Sequence, residues 1–396
     1  MASKSDIVIV NGARTPMAEY NGAFAGISAI DLGVIAAKEA LIRSNTAPAE
    51  VDHVIFGNAL QTSGDAIYGA RHVGLKSGVP KEVPALTVNR LCGSGFESIV
   101  QGAHRILLGE ATTVLAGGME NMSQAPHVIR GARKGLKLGQ GQLEDSLMVA
   151  LLDTWAGLYM AQTSDRVAAK YGVSREEQDE YALSSQRRAA AAWESCRLAE
   201  EVVPVDTQVG RKTVRFVRDD HMRPETTLEA LAKLPPSFGK DGQVTAGNAS
   251  GIVDGAAAVV VTSAANAEAR GMKPLARLVS WAVVGCEPEL MGIGPAAAAR
   301  AALARAGLTM DDISLWEINE AFAGQILGVV RDLGLDLEKL NVNGGAIALG
   351  HPLAASGTRL TLTLARELRR RGERYGLAGA CIGGGQGIAV VLESAA

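Results

Sequence analysis

The chain has 396 residues, 47% hydrophobic and 20% charged, with a net charge of −3. That balance excludes a nucleic-acid binder or a protein drawn to an anionic membrane, and no apolar run reaches the length of a membrane span. Cys92, Cys196, Cys286 and Cys381 lie far apart with no CxxC pair, which excludes a disulfide framework and a zinc ribbon and points to a reducing compartment.

In chain order, Met1 to Asp6 carries no basic-then-apolar leader and runs into a strand at Ile7–Val10. A strand follows at Val54–Phe56, then an apolar segment at Pro84–Val88. That segment leads into Asn89-Arg90-Leu91-Cys92-Gly93-Ser94-Gly95 and an amphipathic helix from Phe96 to Leu108. A thiol therefore stands at a strand-to-helix turn. The unpaired N–H groups of a helix start carry partial positive charge, so the thiol pKa is expected to fall. A buried structural cysteine is the other reading of this run. Thr113–Ala116 is a further strand. From about 119 to 248 the chain is richer in charge. Ser174-Arg175-Glu176-Glu177-Gln178-Asp179 reads there as a helix start with acids in its first turn, and Pro235-Pro236 follows. Beyond it come a helix at Pro295–Ala306 and a strand at Ser314–Ile318.

The chain repeats itself. Ala40-Leu41-Ile42-Arg43 matches Ala302-Leu303-Ala304-Arg305, Leu91 to Gly95 matches Leu353 to Gly357, and Leu115-Ala116-Gly117 matches Leu377-Ala378-Gly379, all at one offset. Gly255 to Val260 matches Gly387 to Leu392 at a shorter offset. The first copy therefore carries an insertion, which reads as a cap over a site made by both copies. Alternating strands and helices within each copy predict layered α/β structure.

The copies differ where chemistry is expected. Ala354 stands in place of Cys92, His351 in place of Asn89 and Cys381 in place of Met119. Equivalent turns of a two-fold pair face one another, so Cys92, His351 and Cys381 are expected to converge. His351, between Gly350 and Pro352, is a poor core residue. Gly383-Gly384-Gly385 after Cys381 expose backbone N–H groups suited to an oxyanion hole. Asn319, in Glu317-Ile318-Asn319-Glu320-Ala321-Phe322 at a strand end, is either a holder of water or substrate oxygen or a helix cap. No Rossmann-type G-x-G-x-x-G is found, and no two candidate metal ligands share a short loop.

These stretches, with Gly117-Gly118-Met119-Glu120-Asn121-Met122-Ser123 and Asn343 to His351, resemble the thiolase family from about Ile7 to Ser394. The resemblance implies a duplicated five-layered α-β-α-β-α thiolase fold. It divides the chain into an N-terminal half (1–118 plus 249–270), a coenzyme A-binding loop domain (119–248) and a C-terminal half (271–396). It implies that Cys92 is the acylated nucleophile, that His351 takes its proton, and that Cys381 is the second acid/base. Asn319 would hold a water in one oxyanion hole, and the N–H groups of Cys92 and Gly383 would form the other. Coenzyme A would be a substrate, with no permanently bound cofactor and no metal. Arg223 and Thr226 would meet its nucleotide end and Ser250 its pantetheine. Met160 and Phe238 would either wall that tunnel or belong to the loop-domain core.

Short-chain biosynthetic members usually carry His-Met-Gly where this chain reads Tyr159-Met160-Ala161. Asp65 to Gly74 and Asn89 to Val100 are most similar to mitochondrial-type 3-ketoacyl-CoA thiolases of fatty acid β-oxidation. The resemblance therefore implies acetyl-CoA C-acyltransferase activity, with biosynthetic acetoacetyl-CoA thiolase as the alternative. It also implies a homo-oligomer, dimer or tetramer, with contacts to other β-oxidation enzymes, in a bacterial cytoplasm or a mitochondrial matrix. A condensing enzyme acting on carrier protein would put histidine in place of Cys381, and a non-catalytic relative would need none of the four residues.

Overall fold

The structure, a computed structural model, describes residues 6–395, so the stretch Met1–Ser5, read from sequence as carrying no leader signal, lies outside the described residues. Ten strands form one sheet: β1 (Ile7–Arg14), β2 (Ala18–Glu19), β3 (His53–Gly57), β4 (Ala85–Val88), β5 (Thr113–Glu120), β6 (Val253–Ser263), β7 (Ala276–Gly285), β8 (Leu315–Ile318), β9 (Tyr375–Ile382) and β10 (Gln386–Ser394). Their order is β8-β9-β10-β7-β1-β6-β5-β3-β4, with β2 beside β6. Read outward from the centre, β1-β6-β5-β3 and β7-β10-β9-β8 repeat one arrangement. In each, the outermost of these pairs (β5–β3, β9–β8) is parallel and the others are antiparallel. Within the sheet, three residue pairs among the described residues join β1 to β7: Ile7–Leu278, Val8–Arg277 and Ile9–Ala276. Residues 346–349, which match the β4 region in the repeat, form a helical turn instead of a strand.

Five long helices complete the layers: α1 (Ala29–Arg43), α2 (Ser94–Leu107), α3 (Gly294–Ala306), α4 (Ala323–Leu333) and α5 (Leu353–Arg371). Strand alternation decides which layer each side chain meets. On β6, Val259 and Val261 join Phe96, Ile99 and Leu360 in the central core, whereas Ala256, Ala258 and Val260 pack on α1. On β10, Val390 and Leu392 face that same central core, and Ala389 and Val391 face α3 and α4. Both faces are covered, which is why these strands read as unbroken apolar runs. Helices α2 and α5 fill the middle layer, and α5 is buried nearly all round.

The elements between β5 and β6 lie off this sheet. They include helices Met160–Tyr171 and Arg175–Glu194 and three short hairpins. Ser174 accepts a hydrogen bond from Glu177 N–H at 3.2 Å, and the Glu177 carboxylate accepts from Ser174 N–H at 2.8 Å. This reciprocal box stabilises the helix start. Two buried polar knots tie the insertion to the core. Arg14 pairs with Glu201 and Asp219 at 2.6 and 2.7 Å. Glu320 accepts from Tyr181 Oη, Ser185 Oγ, Asn341 Nδ2 and Ile347 N–H.

Candidate active site

The turn that carries Cys92 is held by its neighbours. Residues 91–93 form a single 3₁₀ turn before α2. Leu91 adopts φ +47°, uncommon for a non-glycine residue and a mark of local constraint. Its N–H donates to Asn89 Oδ1 at 2.9 Å, and Ser94 Oγ donates to its carbonyl at 2.7 Å. The thiol is half-buried and packs with Met122, Leu147 and Leu353. The N–H groups of Cys92 itself and of Gly383 point at the sulfur.

The thiol pKa corrects the expectation drawn from the helix start. Burial pushes it up to about 12, and the two N–H groups, which pull the other way, are outweighed. The nearby Glu120 carboxylate adds to the rise. An apolar seat therefore costs the thiolate more than the amide dipoles return. A thiol of this kind needs a base in step with its attack.

His351 is the candidate for that base. It is buried, and its Nδ1 lies 2.6 Å from Ser356 Oγ. Ser356 in turn donates to Pro352 O at 3.1 Å, so its oxygen is left to accept from Nδ1–H. This assigns the lone pair to Nε2, which faces Asn319 Nδ2 at 3.4 Å. Burial, with the Arg359 cation, lowers the imidazole pKa to about 3, so the ring is neutral. Asn319 is not a helix cap: α4 starts four residues later with Phe322 at its N-cap position. Its Oδ1 is buried with no hydrogen-bond partner among the described residues.

Cys381 is the penultimate residue of β9, buried among Met291, Ala321, Met160 and Phe322. Burial, followed by the proximity of Cys92 and Cys286, holds its thiol well above the ordinary value. Gly383 follows in the turn to β10, where a side chain would press on Leu91 and on Met160 Sδ. The structure thus gathers Cys92, His351, Asn319, Cys381 and Gly383 around one centre.

A cavity of about 170 Å3 opens beside His351, lined among others by Met122, Tyr159, Met160, Phe238, Ser250 and Phe322. Met160, Phe238 and Ser250 are therefore at the site. Arg223 and Thr226 do not line it. Arg223 is exposed, pairs with Glu19 and donates to the carbonyls of Asp220, His221 and Met222. Thr226 N–H donates to Arg223 O. The link to the cavity is His221, whose ring lies against Gly251 on the cavity wall.

Sequence reasoning passed over Glu120. Its fully buried carboxylate accepts from Asn58 Nδ2, Ala59 N–H, Leu60 N–H and Ala354 N–H at 2.8–3.1 Å. It thereby clamps the start of α5 to the end of β5. Burial raises its pKa to about 7 against those donors. The repeat held the signal, because Glu120 matches Ile382, a divergence of the kind that marked Cys92.

A half-buried thiol under two amide N–H groups, a neutral imidazole and a second, buried thiol define an enzyme that transfers acyl groups through cysteine. The comparisons agree. Family models described as the N-terminal and C-terminal domains of thiolase match residues 7–265 and 272–394. The chain is 53% identical to the human mitochondrial 3-ketoacyl-CoA thiolase over 399 residues, covering 100% of both. It is 46% identical to an acetyl-CoA acetyltransferase of Cupriavidus necator, covering 98% of this chain and 99% of that one. The crystal structure of the human mitochondrial enzyme in complex with CoA matches with TM-score 0.96 and 53% identity, over 100% of this chain and 99% of that one. The chain belongs to the thiolase family, and it is an acyltransferase.

Proposed function

We propose that this enzyme is a 3-ketoacyl-CoA thiolase, cleaving 3-ketoacyl-CoA with coenzyme A to acetyl-CoA and a shortened acyl-CoA in fatty acid β-oxidation. The observation that carries it is the grouping of Cys92, His351, Asn319 and Cys381, with His351 on the wall of the apolar cavity. Cys92 Sγ attacks the keto carbon while its proton passes to His351 Nε2. The bond between the α and β carbons breaks, and its electron pair leaves as the acetyl-CoA enolate, which takes a proton from Cys381. The Cys381 thiolate then takes the proton of the incoming CoA thiol, whose sulfur attacks the acyl-Cys92 thioester. Cys92 leaves as thiolate and recovers its proton from His351, so both acid/base groups are reset. The N–H groups of Cys92 and Gly383 hold the oxyanion on the acylated carbon, each donor worth roughly 10²–10³ in rate. His351 and a water on Asn319 hold the thioester oxygen of the enolate.

In this reading Met160, Phe238 and Ser250 surround the pantetheine arm, and Arg223 and Thr226 meet the nucleotide outside the cavity. CoA comes and goes as substrate, with no resident cofactor. The loop domain spans 119–248 between the two halves. A homo-oligomer, dimer or tetramer, is part of the proposal, supported by the exposed Leu138 and Leu143. So is a reducing compartment, a bacterial cytoplasm or a mitochondrial matrix, since Cys92 and Cys381 act as free thiols.

The second reading is a biosynthetic acetoacetyl-CoA thiolase, favoured by the similarity to acetyl-CoA acetyltransferases. Tyr159 on the cavity wall, where short-chain members usually carry histidine, favours the first. Thiolysis rates settle the matter: medium-chain 3-ketoacyl-CoA should be cleaved at least as fast as acetoacetyl-CoA. Activity confined to acetoacetyl-CoA would reverse the order of the two readings.

A further inference from the structure

His351 is held between two elements, and each continues to a second contact one step deeper. On β8, Leu315 faces the central core and Trp316 and Ile318 face the other way. By alternation Glu317 and Asn319 share the central face. The Asn319 N–H donates to Gly379 O at 2.9 Å, which carries the strand pairing on to that residue. On α5, Ser356 and Arg359 are three residues apart and lie on one face. The inner contact is Asn319–His351–Ser356, at 3.4 and 2.6 Å. The deeper one is Glu317 Oε2–Arg359 Nη1 at 3.7 Å, between side chains 2% and 1% exposed.

This deeper pair is poorly built for stability. Neither the Glu317 carboxylate nor the Arg359 guanidinium makes a hydrogen bond among the described residues. Buried charges joined by Coulomb attraction alone do not recover their desolvation cost. The first copy shows that the fold does not need the strand-side charge, because Ile55 occupies the place of Glu317 and packs in the core. The ion pair stands only in the copy that carries His351. Other charged groups facing it are Arg14 on β1, Glu201 from the insertion, Glu320 after β8 and Glu367 on α5. Of these, Arg14 and Glu201 already pair with each other, Glu320 is bound by four donors and Glu367 by arginines.

We infer that Glu317 and Arg359 are a positioning pair for His351, fixing the spacing of β8 and α5 and placing a cation behind the imidazole. The inference rests on the proposed role of His351 as base for Cys92. Burial, reinforced by the Arg359 cation, keeps the ring neutral and ready to accept the Cys92 proton. Burial raises the Glu317 pKa to about 8, so the carboxyl is largely protonated near neutral pH and the cation is offset only to a small extent.

The test measures alkylation of Cys92 by iodoacetamide from about pH 2.5 to pH 7, a window that contains the acid limb set by an imidazole pKa of about 3, with thiolysis kcat and KM at neutral pH alongside. In the double variant Glu317→Ile/Arg359→Leu both charges are gone, so no unpaired ion is left in the core. Removing the cation raises the imidazole pKa. The acid limb of alkylation should therefore move up by about one pH unit, and kcat should fall roughly tenfold or more with KM within about twofold. Arg359→Lys, which keeps the charge, should restore the parental profile. An unchanged acid limb in the double variant, or a shifted one in Arg359→Lys, overturns the inference. If the double variant does not fold, Arg359→Gln is read in the same way, because Glu317 can then take up a proton. Alkylation in the parent that ignores His351→Ala would instead count against the Cys92–His351 reading itself.

Discussion

At the scale of the residue, the site holds a thiol near 12 and an imidazole near 3, so a resting thiolate–imidazolium pair is far uphill. Cys92 must lose its proton as it attacks, a task that the proposed mechanism gives to His351. In Cys92→Ala, covalent labelling by acetyl-CoA and thiolysis should both vanish, read by intact-protein mass and by thioester loss. In Cys381→Ala the label on Cys92 should persist while carbon–carbon cleavage and condensation are lost. The depressed imidazole pKa also couples to folding. An unfolded histidine binds its proton near pH 6.5, whereas the folded ring does so only near 3. The contribution of His351 is therefore complete above about 6.5 and declines as pH falls toward 3, by up to ~1.4 kcal/mol per unit. Urea unfolding of His351→Gln should show a stability difference from the parent that shrinks by about 2 kcal/mol from pH 6.5 to pH 5. Cys92, His351 and Cys381 were legible because the copies diverge there. The direction of the Cys92 shift was not, because burial is a property of the assembled layers and not of the turn.

At the scale of the element, the crossing of β5 and α5 decides whether the site closes. A Cβ on Gly118 would lie 1.8 Å from Ala354 O, on backbone that cannot step aside. The same crossing brings Ala354 N–H to Glu120 at 3.0 Å. Gly118→Ala should therefore destabilise by about 3 kcal/mol or more, seen as a lower melting temperature. It should also slow acylation of Cys92 by disturbing Glu120. The strands beginning near Ile7, Val54, Pro84, Thr113 and Ser314 and the helices from Phe96 and Pro295 were readable from apolar runs, and the helix after Ser174 from its cap, with ends within a few residues, whereas α1, α4 and α5 were not assigned. The 3₁₀ turn at Leu91–Gly93 and the helical turn at Ala346–Leu349 were not, since tertiary contacts override local pattern there.

At the scale of the whole molecule, the family models divide the chain near residue 270, but the core does not divide there. Helix α5 is buried by α2 and by strands of both halves. A fragment of residues 272–394 would expose that helix and the inner face of its sheet. It should bind a hydrophobic dye and lack a cooperative melt, while the full chain unfolds in one transition. The layered architecture was legible from the internal repeat. The anchoring of the insertion through Arg14 and Glu320 was not, because those partners are far apart in sequence and carry no shared pattern.

The two middle helices meet at glycines that are equivalent in the repeat. A side chain on Gly95 would strike Thr358, and one on Gly357 would strike Phe96, while Phe96 and Thr358 are themselves equivalent. Reciprocal contact of this kind is isologous, the geometry of a two-fold homodimer. The chain thus carries a dimer interface inside one polypeptide, where tethering prevents dissociation at any dilution. Each half is also free to drift from its twin. In the proposed mechanism one half supplies the nucleophile and the other an acid and a base, a division of labour that two identical subunits could not make.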